Sequence, residues 1–405
     1  GHKTVWANQW EPKTKTIQYA YDCYVSNFGD FDDLNTDIGK INEKNIPPHS
    51  LLVGGFPCQD YSVATVSAKG MKGKKGVLWW DINRIIAEKK PELILLENVD
   101  RLLKSPVPQR GRDFAIMLAT FDELGYSVEW RVINAADYGY AQRRRRVFLF
   151  AWKQRNPWNT KFSKCKNKET WLKKKGLFSS IFGSEMEEIS KVSLDPSQSK
   201  LEQFTTDVKT EKKGKGKTPE DNDRLLRISQ DWDAYKLSPF KRAGLMSKGE
   251  VWTCNYKSTY EGKRVLLGDI LQKKVDDPWF YIDDGEMEQW KYLKGSKKEE
   301  RVVKATGFKF NYSEGPLPFP DPLDRPSRTM ITGEGGKAPS RFKHVVKDST
   351  KKLRRITPIE AERLNGFPDD WTLTETMPTN FRYFCMGNAL IVGLVSEIME
   401  GIRNI

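Results

Sequence analysis

Cys58 stands in the run Gly54-Gly55-Phe56-Pro57-Cys58-Gln59, directly after a short apolar stretch, Leu51–Val53. Downstream come Glu97-Asn98-Val99 and then Gln142-Arg143-Arg144-Arg145-Arg146. A thiol, a carboxyl and an arginine cluster in this order fit covalent attack on a cytosine ring. C5 of cytosine is a poor nucleophile. Adding a thiolate to C6 makes the ring an enamine, whose C5 can attack an electrophilic methyl group. A free thiol has a pKa of about 8.5, so Cys58 gains from positive surroundings. The arginine cluster and the loop Lys69-Gly70-Met71-Lys72-Gly73-Lys74-Lys75-Gly76 offer them.

The attacked ring must also accept a proton near N3. Glu97 is the candidate donor, because it follows the buried-strand signal Leu93–Leu96. Ligands in open α/β sheets bind at the carboxyl ends of strands. Burial there raises a carboxyl pKa and favours its neutral form. Arg144 is the candidate to hold the O2 edge. Gln142, Arg144 and Arg146 alternate, so an extended segment would put them on one face. Each piece alone has a plainer reading. A lone Pro-Cys is a structural cysteine, and four arginines in a row are a solvated or nucleic-acid-contacting edge. Their ordered conjunction, each beside a strand end, favours chemistry.

The positioning elements show in the periodicity. Strands are expected at Thr4–Trp6, Leu51–Val53, Leu93–Leu96, Ser127–Ile133 and Val147–Trp152. Helices are expected at Lys15–Phe28, Val77–Lys90, with Leu78, Ile82, Ile85 and Ile86 on one face, and Phe114–Leu124. This alternation predicts an open α/β sheet flanked by helices. After Lys153 the rhythm is lost, and Lys209–Arg224 is low-complexity. Regularity returns with a helix at Thr357–Leu364, where Thr357 caps, Pro358 follows and Glu360 completes a capping box. A terminal helix is expected at Asn388–Ile402. The layout reads as a core, an insertion and a return to the core.

Composition narrows the class. The 405 residues suffice for two or three domains of about 100–200 residues each. The net charge of +14 leaves a polyanion partner and a merely solvated basic surface both open. No apolar run of about 18 residues occurs, so no membrane span is expected. The five cysteines (Cys23, Cys58, Cys165, Cys254 and Cys385) are scattered without a C-x-x-C pair. A reducing cytoplasm therefore fits better than a disulfide framework. His2, His49 and His344 are not spaced with the cysteines as zinc ligands, so no metal site is expected.

On these residues the chain resembles the DNA (cytosine-5) methyltransferases of bacterial restriction–modification type. The Phe56–Gln59, Glu97–Val99 and Gln142–Arg146 segments match that family's nucleophile, acid and Q-x-R-x-R motifs. Asn134–Gly139, Arg355–Pro358, Arg363–Pro368 and Gly387-Asn388-Ala389 match further motifs. The resemblance implies an S-adenosylmethionine-dependent, Rossmann-like mixed sheet with a smaller inserted target-recognition domain. It implies a catalytic core over 1–175, target recognition over 176–345 and a return to the core over 346–405. It implies Cys58 as nucleophile, Glu97 as N3 proton donor, and Arg144 and Arg146 as groups holding the base. Gln9, Trp10, Asp37, Ile38, Pro57, Leu78, Asn388 and Ala389 would bind S-adenosylmethionine, released as S-adenosylhomocysteine. Gln59, Ser62, Lys72 and Thr329 would contact DNA, with Ser62–Gly76 closing over an extruded base. For Trp10, Ile38 and Leu78 the competing reading is core packing.

Two departures stand out. The family's F-x-G-x-G segment is absent from these 405 residues, and the expectation is that the sequence starts after it and after the first strand. Gln9 stands where the family has an acidic residue before the tryptophan. The implied partners are double-stranded DNA and a cognate restriction endonuclease, with a monomeric protein in a bacterial cytoplasm and no membrane. A transfer-RNA cytosine-5 methyltransferase and a non-catalytic DNA-binding homologue are the alternatives. The long insertion favours DNA over the first, and intact Cys58, Glu97 and Arg144 argue against the second.

Overall fold

Four strands built on apolar runs carry the site: β1 (Leu51–Gly55), β2 (Leu93–Val99), β3 (Tyr126–Asn134) and β4 (Arg145–Lys153). The computed structural model describes residues 2–11, 17–56, 78–153, 156–194, 224–225, 228, 232, 237–302, 307 and 309–404. β1 runs parallel to β2, in register from Leu51 opposite Leu93 to Gly55 opposite Glu97. β4 pairs antiparallel with both β2 and β3. The carboxyl ends of β1 and β2 and the start of β4 therefore share one edge of the sheet.

Side chains alternate across β2 as a pleated strand requires. Ile94 and Leu96 enter one core, with α2 (Leu78–Lys89) and α3 (Arg112–Glu123) packed over it. Leu95 enters the other, covered by α4 (Pro157–Lys164), α5 (Leu177–Ile181) and a C-terminal helix. The outcome is a mixed sheet between two helical layers, the α/β class expected. Glu97 lies within β2 rather than just beyond it.

The insertion contributes to this sheet. β5 (Ser184–Met186) pairs with β9 (Tyr256–Ser258) apart from it, but β6 (Ser190–Ser193), β7 (Ala243–Ser247) and β8 (Glu250–Cys254) extend it. The seven strands run in the order β1-β2-β4-β3-β7-β8-β6. Every residue of β7 is buried. A Cβ at Gly244 would strike the Trp130 ring, so only glycine lets β7 lie against β3 there. The sheet thus continues past residue 176.

Other expectations shift for local reasons. Thr4–Trp6 forms no strand, and its neighbourhood is tied instead by the Gln9 amide donating to the Leu34 carbonyl at 2.7 Å. The N-terminal helix, α1, covers Tyr19–Phe28. The rest of the chain holds α6 (Met287–Lys294), a ribbon of β10 (Lys297–Val302) and β11 (Lys309–Glu314), and a pair, β12 (Val345–Lys347) and β13 (Leu353–Arg355). α7 (Pro358–Asn365) has the expected capping box between Thr357 and Glu360. The single terminal helix is two, α8 (Thr379–Asn388) and α9 (Val392–Arg403). By length and apolarity the joined stretch would suit a membrane span. It is broken at residues 389–391, and Leu394, Ile398 and Ile402 of α9 are buried in the core.

Glu360 also fastens α7 to β13. Arg354 donates to both its oxygens, at 2.6 and 2.8 Å, and both side chains are fully buried. The backbone amides of Thr357 and Gln272 donate to the same carboxylate at 2.9 and 2.8 Å. Removing one member of such a pair strands the other charge. Glu360→Ala should lower unfolding free energy by about 3–5 kcal/mol in urea titrations. A loss below about 1 kcal/mol would mean that the pair is not the joint described.

Candidate active site

β1 and β2 approach closely where they end. A Cβ added at Gly55 would sit 3.1 Å from Glu97 Oε2, so the glycine leaves the carboxyl its place. Asn98 is buried and donates to the Phe56 carbonyl at 2.8 Å. That bond fixes the backbone two residues before Cys58. Pro57, Cys58, Gln59, Ser62 and Lys72 themselves lie outside the described residues.

Glu97 meets the arginine cluster directly. Arg146 Nε lies 2.8 Å from Glu97 Oε1, with both side chains largely buried. An exposed carboxylate beside a guanidinium would titrate low. Here burial outweighs Arg146 and Arg144, and the Glu97 pKa is raised above the ordinary carboxylate value. Arg144 is 2% exposed. It donates to the Gly387 carbonyl at 2.8 Å and to the Met330 carbonyl at 3.4 Å. Its Nε has no hydrogen-bond partner among the described residues. Burial first, and then Arg146, pull its pKa down to about 9, which leaves it charged at neutral pH. The corner therefore pairs a carboxyl whose pKa is raised by burial with a guanidinium. The first can donate a proton to a ring nitrogen, and the second can hold a carbonyl oxygen.

Gln142 departs from the expected alternation. The Arg144 amide donates back to the Gln142 carbonyl at 2.9 Å, so the segment turns before β4 begins. The Gln142 side chain accepts from the Met330 amide at 2.9 Å and donates to Asn365 Oδ1 at 3.2 Å. Arg144 and Arg146 share the Glu97 corner, and Gln142 joins the end of the insertion to α7. Ser327 pairs with the same segment through backbone bonds, to Arg143 at 2.8 Å and to Ala141 at 2.7 Å. Thr329 is exposed, and its hydroxyl donates to the Arg143 carbonyl.

Sequence reasoning missed the supports behind Ser327. Ser327 Oγ is 2.9 Å from His344 Nε2, and His344 Nδ1 is 3.0 Å from Glu334 Oε1, all three residues being buried. Asp321 binds Arg328 at 2.7 Å beside them. No spacing rule joins residues 321, 327, 334 and 344. The asparagine of Glu-Asn-Val was visible as a residue type, but its carbonyl partner was not.

The residues expected to bind a cofactor fall in two places. Gln9 and Trp10 run beside residues 33–36, where Asn8 donates to the Thr36 carbonyl at 2.8 Å. Asp37 follows, capping a short turn by accepting from the Gly39 amide at 3.0 Å. Arg84 of α2 donates to the Ile38 and Ile41 carbonyls, and pairs with Glu43 at 2.6 Å and with Asp81 at 3.1 Å. This ties the Asp37–Ile38 turn to the middle of α2; Leu78, the first residue of that helix, is 38% exposed. Ile38 packs with Trp6 on Ile41, Ile46 and Ile85, yet it is only half-buried, which leaves part of the side chain for a ligand. Asn388 is exposed at the end of α8, next to the Gly387 carbonyl that Arg144 holds, and Ala389 packs behind it. A half-buried isoleucine in a carboxylate-capped turn fits an adenosine-bearing group.

Comparison with known proteins fits this geometry. The family model of the C-5 cytosine-specific DNA methylases matches residues 1–404. The chain is 44% identical over 404 residues to the type II methyltransferase M.Sau3AI of Staphylococcus aureus, covering 99% of this chain and 89% of that one. It is 27% identical over 398 residues to the type II methyltransferase M.SsoII of Shigella sonnei, covering 98% and 73%. The solved Dnmt2 methyltransferase of S. pombe superposes with a TM-score of 0.53 at 14% identity, over 100% of this chain and 92% of that one. At that identity the likeness speaks for the fold.

Arg146 opposes the upward shift of Glu97, so its removal has a defined sign. Arg146→Ala should raise the Glu97 pKa further, read by carbon-13 NMR of labelled glutamate carboxyls across a pH titration. A fall, or no movement, would show that the pair does not set this carboxyl's charge.

Proposed function

The chain belongs to the C-5 cytosine-specific DNA methylases, and on that premise we propose that Cys58 and Glu97 perform its chemistry on a cytosine extruded from duplex DNA. The observation that carries the assignment of roles is the corner of Glu97, Arg144 and Arg146 at the end of β2. The parallel strand β1 ends at that same edge, and Cys58 follows it by three residues in the sequence.

In this reading the Cys58 thiolate adds to C6 of the cytosine. Glu97 gives its proton to N3, so the electrons arriving in the ring leave no net anion. Arg144 holds O2 and Arg146 keeps the Glu97 carboxyl oriented. S-adenosylmethionine, when bound, supplies an electrophilic methyl group. Trp10, Asp37 and Ile38 would hold its adenosine part, Gln9 its ribose, Leu78 and Asn388 its methionine part, and Pro57 and Ala389 the end nearest the chemistry. Loss of the C5 proton to a base, return of the N3 proton to Glu97 and departure of the Cys58 sulfur as thiolate then restore the neutral aromatic ring. The enzyme releases S-adenosylhomocysteine.

Extruding the base from a duplex costs a few kcal/mol. Gln59 and Ser62 would stand against the extruded nucleotide, while Lys72 and its neighbours grip phosphate. Thr329 would contact backbone near the vacated position. The identity to M.Sau3AI and M.SsoII supports service as the modification enzyme of a restriction system. A cognate endonuclease acting at the same site, a bacterial cytoplasmic location and a monomeric state go with that service. The transfer-RNA alternative gains nothing from these relatives.

Cys58→Ala should abolish methyl transfer to DNA while circular dichroism and melting remain those of the parent. Full activity in that variant would refute the mechanism. A duplex carrying 5-fluorocytosine at the target should trap a denaturation-resistant adduct with the cofactor-loaded enzyme, because fluorine cannot leave as the C5 proton does. Glu97→Gln should slow single-turnover methylation far more than it weakens DNA binding, whereas equal losses would assign Glu97 to positioning alone.

A further inference from the structure

β10 and β11 form a two-stranded antiparallel ribbon, in register from Lys297 opposite Glu314 to Val302 opposite Lys309, that joins no other sheet. Such a ribbon is marginal by itself and needs support. One face has it. Arg301 lies 3.4 Å from the Tyr312 ring centroid, and Lys297 lies 4.6 Å from that of Tyr292. Glu314 pairs with Arg341 at 3.1 Å. Arg341 also donates to the carbonyls of Leu293 and Gly295 at 3.0 and 2.9 Å, so one guanidinium closes the base of the ribbon at both ends.

The opposite face carries Lys298, Glu300, Lys309, Asn311 and Ser313, all exposed. Glu300 and Lys309 pair at 2.9 Å. The side chains of Lys298, Asn311 and Ser313 bond to nothing among the described residues. The ribbon is also continuous with the catalytic edge. Phe342, next to Arg341, offers its carbonyl to Arg328 at 3.2 Å, and Thr329 follows on the Arg143 carbonyl.

We infer that this free face is the base-reading surface of the enzyme, seated in the major groove of the target duplex. The inference rests on the function proposed above. A major groove about 12 Å wide admits a two-stranded ribbon. The face is chemically mixed rather than basic. Glu300 would repel a phosphate, which argues against a simple backbone grip. Base edges instead require donors and acceptors together. Asparagine pairs with adenine, lysine with guanine, a carboxylate with the cytosine amino group, and serine with either kind of edge. Asn311 and Lys298, free of internal partners, are assigned as the principal readers.

The test uses the full chain with S-adenosylmethionine and duplexes randomised around the methylated site. Asn311→Ala and Lys298→Ala should each lower kcat/KM on the preferred sequence by about 5- to 150-fold. Each should also relax preference at one position, with melting and affinity for unrelated duplex unchanged. These side chains are exposed and unbonded, so folding does not confound the comparison. Unaltered preference in both variants and in the double variant would overturn the assignment. Uniform weakening on every sequence, with a shallower salt dependence, would mark phosphate contacts and overturn it too. An unmodified protein that methylates cytosine normally while the variants behave like it refutes the ribbon alone. An unmodified protein that methylates no duplex refutes both readings.

Discussion

The burial of Arg144 is the constraint on which the site depends. An isolated charge taken out of water is costly unless its hydrogens find acceptors. Arg144 finds two carbonyls, from Met330 and Gly387, and the field of Glu97. Those groups come from the end of the insertion, from α8 and from β2. Three parts of the chain, separated by as many as 290 positions in sequence, must therefore meet before the guanidinium can be accommodated. The backbone bonds around Ser327, the double use of Gln142 and the break between α8 and α9 all serve that meeting. At Gly387 a Cβ would collide with the Thr332 backbone, so the approach is as close as the chain permits.

Glu97 shows how the same corner sets its chemistry. A carboxyl held only by Arg146 would stay ionised, and one buried without Arg146 would be harder to orient. The combination keeps it directed while burial raises its pKa. The glycine opposite, Gly55, is part of this arrangement because any side chain there would compete for the carboxyl's space.

Much of this was legible beforehand where local rules govern. Apolar runs located β2, β3 and β4, and the Thr357–Glu360 box located α7. The carboxyl-end rule brought Glu97 to the working edge. What stayed hidden depends on non-local pairing. Ala243–Ser247 reads as small and mixed, and becomes a buried strand only because Gly244 fits against Trp130. Thr4–Trp6 has strand composition, yet composition supplies no backbone partner. Asn388–Ile402 looks uniformly helical, and the interruption follows from contacts around Gly387 with residues 331–332 and Arg144. Gln142 seemed to share a face with the arginines because alternation presumes an extended chain, which the turn at Arg144 denies.

The backbone docking of residues 327–330 onto Ala141, Gln142 and Arg143 has a consequence for how this enzyme could be recombined. A chimaera importing a foreign recognition cassette would have a natural splice point upstream of Arg325, in the proline-rich connector after β11. A junction placed between Ser327 and Met330 would disturb the Met330 carbonyl that accepts from Arg144 and the Met330 amide that holds Gln142. If the segment before this seam carries target preference, as proposed above, it could be swapped between lineages while the Arg144 corner stays with the rest of the chain.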